Sequence, residues 1–165
     1  MSVAAIRFFP DPVLRLKCQT VKVFNKSLKE IGRLMECTME LQPLGIGIAA
    51  PQIGIPKRIA IVDVSRRVAD SQRLMLVNPE ILDVQEERLS REGCMSLPDY
   101  SAYLKRYDCV RFRWQDVSGY WHEKTSRGIE AICVQHELDH LNGILFVDRV
   151  ACLKNDMVPR KMGRR

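Results

Sequence analysis

The segment Val134–His140 reads VQHELDH and holds two of the chain's three histidines. On a helix, residues four apart project from one face, one turn apart. The imidazoles of His136 and His140 can therefore reach a single metal ion. Glu137 follows His136 directly, so its carboxylate is turned about 100° around the helix axis. From there it can reach a water beside the metal without binding the metal itself. This is the logic of HExxH: two ligands plus a general acid/base. Asp139 could accept a hydrogen bond from a ligand imidazole, the kind of outer partner such histidines have, or stand as a solvated carboxylate.

A catalytic site of this type needs a third protein ligand. A histidine six residues past the second is absent, because position 146 is Phe146, and no glutamate follows His140. Asp148 in LFVDR is a weak candidate, in a context that reads as a strand end with a charge pair. Cys133 shares the helical stripe, but it lies roughly 10 Å from His140 along the axis. Helical side chains also lean toward the N-terminus, so Cys133 suits a wall of the site better than a ligand. Cys94 stands in REGCMSLP, after Gly93, in what reads as a strand-end turn. A thiolate there could complete a Cys/His/His set with an open fourth position. A single cysteine is also common as core filler, so the residues alone leave the choice open.

The elements that must position these groups follow from periodicity. Asn25 reads as an N-cap, and Leu28, Ile31, Leu34, Met35, Thr38 and Met39 recur at helical spacing before Pro43. Arg58–Val64 is a β-rich run. Leu74–Asn78 and Ile81–Val84 flank Asn78-Pro79, a turn signal. Val110–Trp114 alternates apolar and basic, and DVSGY closes a hairpin into Tyr120–Lys124. Gly128 opens a helical segment from Ile129 to Asn142, and Gly143 sits where a C-cap glycine belongs. Strands in the middle with helices at both ends argue an α+β fold.

A chain of 165 residues is read as one domain, 1–165, with 46% hydrophobic and 28% charged residues. No apolar run approaches a membrane span, and the N-terminus lacks a secretory h-region. The expected compartment is the cytoplasm, with no membrane partner, and the six cysteines are read as reduced thiols. A net charge of +6 favours soft association with polyanions such as RNA. The basic tail VPRKMGRR is the one real cluster.

Three ordered stretches now stand together: GIGIAAPQIG (Gly45–Gly54), EGCMS (Glu92–Ser96) and QHELDH (Gln135–His140). The set closely resembles the peptide deformylase family, and PDPVLR and DHLNGILFVDR extend the likeness over most of the chain. Ile48 and Met95 stand where that family usually has leucines, and both are swaps of similar volume.

The resemblance implies an α+β fold with antiparallel sheets packed around a central HExxH helix. It implies removal of the N-formyl group from formyl-methionyl nascent peptides, with release of formate. It implies Cys94, His136 and His140 as ligands of one divalent metal, Fe2+ natively, with Zn2+, Ni2+ or Co2+ as substitutes. It implies Glu137 as general base and acid, with Gln52 and the Met95 backbone N–H holding the formyl oxygen. It points to Gly45, Gly47 and Gly93 along the substrate, and to Ile46, Glu92, Arg106, Ile129, Ile132 and Cys133 around a methionine pocket. In some relatives a C-terminal helix docks at the ribosome, and here the basic tail could take that part. A different zinc peptidase would not need Gln52 or Cys94, and a non-enzymatic RNA-binding domain would leave Glu137 and Gln52 unexplained.

Overall fold

The computed structural model describes residues 2–42 and 45–160. Helix α1 spans Lys26–Glu40, and the Asn25 side chain accepts the Leu28 N–H at 3.2 Å. That bond satisfies one of the orphan donors of the first turn. Leu28, Met35, Thr38 and Met39 form its buried stripe, as the periodicity requires. Pro43, read as the helix stop, lies outside the described residues.

Six strands follow in one hydrogen-bonded set: β1 (Gly47–Ala49), β2 (Ile59–Val62), β3 (Leu74–Cys94), β4 (Leu97–Gln115), β5 (Trp121–Arg127) and β6 (Met157–Pro159). Their order is β1-β2-β3-β4-β5, with β6 on β4, and every pairing is antiparallel. The alternation read at Val110–Trp114 holds on β4: Val110 and Phe112 are buried, while Arg111 and Arg113 face solvent.

Helix α2, Gly128–Leu141, is buried at every position from Glu130 to Leu141. Ala131, Val134, Leu138 and Leu141 pack with Val62, Leu76 and Phe112 from β2, β3 and β4. A helix covered on all sides cannot be amphipathic, and its polar groups must find partners inside. Glu130 does so with Ser71, Ser126 and Lys124, and Gln135 bonds both backbone groups of Tyr107. Gly143 ends the helix at φ +73, with its N–H on the His140 carbonyl. A second core packs α1 against β1 and β2 through Met35, Met39, Ile48 and Ile61.

Two local readings are corrected. Asn78-Pro79 is not a turn between two strands but a bulge inside β3: Val77 pairs with Gln115 and Glu80 with Arg113. One extra residue is accommodated because Asn78 takes a φ of 50°, which asparagine tolerates better than most residues. LFVDR is not a strand end, since Phe146–Arg149 forms a 3-10 turn. Its Asp148 caps the Leu145 N–H and pairs with Arg15, so it faces away from metal chemistry.

The Asn78 side chain is also a clasp. It accepts the Val21 N–H at 2.8 Å and donates to the Val21 carbonyl at 2.9 Å and to Gln115 Oε1 at 2.8 Å. Asn78→Ala should cost about 2–4 kcal/mol, from lost buried hydrogen bonds and from left-handed backbone strain. Asn78→Gly removes the same bonds without that strain and should cost about 1 kcal/mol less. Urea unfolding of both variants measures the difference.

Candidate metal centre and substrate cleft

The ligand-bearing face of α2 meets the end of β3. His136 and His140 lie one turn apart with ring centroids 5.0 Å from each other. Strand β3 ends at Cys94, and Met95 and Ser96 form the tight connection into β4. The Cys94 sulfur stands 3.2 Å from His140 Nε2. The donor atoms of Cys94, His136 and His140 all lie within 4.8 Å of one another, and all three residues are buried. Burial pushes the Cys94 thiol up, but the charges and hydrogen bonds of His140 and His136 outweigh it and hold it well below the usual thiol range. The Ser96 N–H, 3.4 Å from the sulfur, adds another donor. A thiolate and two imidazoles with one edge on a cleft fit a divalent ion of borderline softness.

Behind the ligands runs a chain of buried charges. His136 Nδ1 meets Glu92 Oε2 at 2.8 Å, which leaves Nε2 to face the Cys94 side. Arg106 donates to both Glu92 oxygens at 2.7 and 3.0 Å, and to Asp139 Oδ2 at 2.6 Å. Arg149 closes the far side of Asp139 with two bonds at 2.5 Å. Burial alone would raise the Glu92 pKa, yet the His136 and Arg106 hydrogen bonds bring it down to about 2. The imidazole partner expected at Asp139 is thus Glu92 instead. Asp139 lies on the side of α2 that faces Arg106 and Arg149.

Glu137 is nearly free of polar partners, and its Oε2 bonds to nothing among the described residues. Burial raises its pKa to about 7 against the opposing pull of His136 and His140. Gln52 sits on a 3-10 turn, Ala50–Ile53, after β1. Its Oε1 accepts the Ala49 N–H at 2.9 Å, so its NH2 must face the other way. That group points at Cys94 Sγ, 3.5 Å away, and at Ser96 Oγ, 3.2 Å away.

A cleft of about 580 Å³ opens over these groups. One wall is Gly45, Ile46 and Gly47, another is Glu92, Gly93 and Met95, and α2 contributes Ile129, Ile132 and Cys133. Cys133 is spent on the wall, its Sγ donating to the Ile46 carbonyl at 3.3 Å. Burial, with Glu137 and Glu92 nearby, pushes its thiol well up. Arg106 does not line this cleft, because its guanidinium is turned into the charge chain behind Glu92. Reasoning from residues missed four arginines on the cleft: Arg67, Arg88, Arg91 and Arg160. Nothing in their local sequence separates them from solvated charges.

Two imidazoles, a thiolate and a buried carboxylate at the base of a peptide-sized cleft define a metal-dependent hydrolase. The comparisons agree. Residues 3–156 match the profile of the family described as Polypeptide deformylase. Peptide deformylase of Bartonella tribocorum is 41% identical over 168 residues, covering 100% of this chain and 94% of the relative. The crystal structure of a peptide deformylase from Legionella pneumophila is 36% identical, with a TM-score of 0.87 over 93% of this chain and 89% of that one. A class I type b peptide deformylase from Acinetobacter baumannii, solved with Met-Ala-Ser bound, is 36% identical with a TM-score of 0.83, over 90% and 99% of the two chains. The chain belongs to the polypeptide deformylase family. It is a metal-dependent hydrolase that removes the N-formyl group from the formyl-methionine of newly made polypeptides and releases formate.

Gly47 has a steric role in that site. A methyl group there would press on Glu137 Oε1 and stand 2.6 Å from Cys133 Sγ. Gly47→Ala should therefore displace the Glu137 carboxylate and lower kcat by on the order of 100-fold. Stopped-time formate assays beside a melting curve separate this from unfolding.

Proposed function

We propose that each site residue serves deformylation in a defined role. The reading rests most on the direction of the Gln52 amide, whose NH2 is held toward Cys94 by the Ala49 N–H. A divalent ion held by Cys94, His136 and His140 supplies Lewis acidity, polarising the formyl carbonyl and lowering the pKa of the attacking water. Iron(II) is the native ion in this reading, and zinc, nickel or cobalt replace it, since thiolate and imidazole suit all four.

Glu137 takes the proton of the attacking water on its unpartnered Oε2. A carboxylate poised near neutrality is suited to accept a proton and give it back. The oxyanion of the tetrahedral intermediate is met by Gln52 Nε2 and the Met95 backbone N–H. Glu137 then returns the proton to the leaving amine, and formate and a free N-terminus separate. Gly45, Ile46 and Gly47 lie along one side of the bound peptide backbone, and Glu92 and Gly93 along the other, as strands flank an added strand. Ile129, Ile132 and Cys133 receive the methionine side chain. Arg106 contributes from behind by holding Glu92, and so His136, in place.

Residues 1–165 act as one catalytic domain in this reading, and the family match over 3–156 supports it. The work belongs in the cytoplasm, where nascent chains emerge; among the described residues no helix is long and apolar enough to cross a membrane.

Protein loaded with iron(II) or nickel without oxygen should release formate from formyl-Met-Ala-Ser. Glu137→Ala should abolish release while keeping its metal, and Gln52→Ala should lower kcat by about 10²–10³-fold. Metallated wild type that releases no formate would overturn the reading.

The basic tail is assigned to ribosome docking, by charge. Lys161–Arg165 lie outside the described residues. Removing them should weaken co-sedimentation with ribosomes at low salt and leave little effect at high salt, where the phosphate field is screened. Equal co-sedimentation with and without them would reject the assignment.

A further inference from the structure

The cleft has an excess of positive charge at its mouth. Arg67, Arg88, Arg91 and Arg160 line it, and its carboxylates are Glu92 and Glu137. Glu92 is already neutralised by Arg106 and His136, and Glu137 lies 3% exposed at the base. Two of the four arginines are occupied. Arg88 pairs with Asp108 at 2.7 Å, and Arg91 bonds Ser101 Oγ at 3.1 and 3.2 Å with its carbon 5.8 Å over the Tyr103 ring. Arg67 and Arg160 have no side-chain hydrogen bond or ion pair among the described residues.

Their placements differ. Arg67 is near enough to Cys133 for its charge to act on that sulfur, on the methionine-pocket side. Arg160 is brought in from the other end of the chain. Strand β6 pairs Met157–Pro159 with Tyr100–Ala102 of β4, and the Arg160 N–H bonds the Asp99 carbonyl at 2.8 Å. Its guanidinium then lies flat on Gly93, where a methyl group would stand 2.8 Å from its central carbon. Only a residue without a side chain permits that approach. Gly93 is one residue from Cys94, so Arg160 lines the cleft beside a metal ligand.

We propose that Arg160, with Arg67 opposite, makes this enzyme select formyl-methionyl peptides bearing an acidic side chain within the two residues after methionine. The proposal rests on the deformylase reading and deepens it. The methionine side chain enters the pocket of Ile129, Ile132 and Cys133, and the next side chains face the cleft mouth. A carboxylate there pairs with a guanidinium whose side chain has no partner among the described residues. An ammonium there is repelled by the unpaired guanidinium groups of Arg160 and Arg67. The geometry suits a planar, bidentate contact, which arginine makes and lysine does not.

The test compares kcat/KM for formyl-Met-Asp-Ser, formyl-Met-Ala-Ser and formyl-Met-Lys-Ser amides, and for the same series with the charge one residue later. Amide ends remove the confounding terminal carboxylate. Wild type should favour the acidic peptide over the basic one by roughly 3–10-fold at low salt, mostly through KM, with the ratio shrinking at 0.5 M KCl. In Arg160→Gln the ratio should fall by at least half, and Arg160→Lys should restore part of it. Arg67→Gln should reduce it further in combination. A wild-type ratio near one, or a ratio unchanged in Arg160→Gln, overturns the proposal. Failure of the deformylase reading looks different, with no formate from any of the three peptides.

Discussion

Arg106 is 3% exposed and is wedged between two buried carboxylates, Glu92 and Asp139. The metal centre depends on that arrangement. Two unpaired carboxylates at this depth would be too costly to keep ionised, and would take up protons instead. With the guanidinium beside it, Glu92 stays ionised, its pKa brought down to about 2. Glu92 Oε2, which also takes an Arg106 bond, accepts the His136 N–H, which fixes the tautomer and the tilt of a ligand ring. His140 has no such partner, for its Nδ1 bonds nothing among the described residues. Apart from the contact of its Nε2 with Cys94, it is held by packing, 1% exposed, with Leu141 and Leu145 also fully buried nearby in sequence. One ligand is oriented electrostatically and the other sterically.

The sheet supplies what a helix cannot. An i, i+4 pair delivers two donors, and a third on the same helix lies too far along the axis. The third must come from another element, at its end, where the backbone can turn the side chain inward. Strands β3 and β4 are long enough to carry Cys94 to α2, and the pairing breaks register between Gly93 and Cys94 as it arrives. Bulges add local twist and re-aim side chains, which is the service the break performs. The same strand thereby presents Glu92 to His136 and Cys94 to His140, two residues apart on one face of the pleat.

Much of this was legible from residues alone, and the exceptions share a cause. The α2 ligand pair, its C-cap at Gly143 and the N-cap at Asn25 depend on spacing within one element, which sequence states directly. Exclusion of Cys133 followed from helix rise, also a local quantity. Cys94 became a ligand only through family likeness, because its meeting with α2 spans 42 residues of chain. Glu92 holds the place expected of Asp139 for a similar reason. Both are acids near a ligand, and only the position of Arg106 decides which one the imidazole reaches. At Asn78-Pro79 the local signal was real, since positive φ and a following proline mark turns and bulges alike. What separates them is whether the next residues pair with the same neighbour, and that is set by β4.

Cys94 and Cys133 show how the fold assigns opposite chemistry to one residue type. Both are buried thiols on the same cleft. Burial disfavours a thiolate at either position, so the surrounding charges decide. Cys94 looks onto two imidazoles, a backbone N–H and the Gln52 amide, every one of them able to donate to a sulfur anion. Cys133 looks onto Glu137 and Glu92, and among the described residues its only hydrogen bond is the one it gives to a carbonyl. The first can therefore release its proton and bind a cation. The second stays neutral, and a neutral thiol is an apolar surface of the right size for a thioether side chain to lie against. In the proposed mechanism, keeping Cys133 neutral also spares Glu137 a competing anion on the side where it takes up a proton. The Glu137 and Glu92 carboxylates thus keep the pocket wall inert.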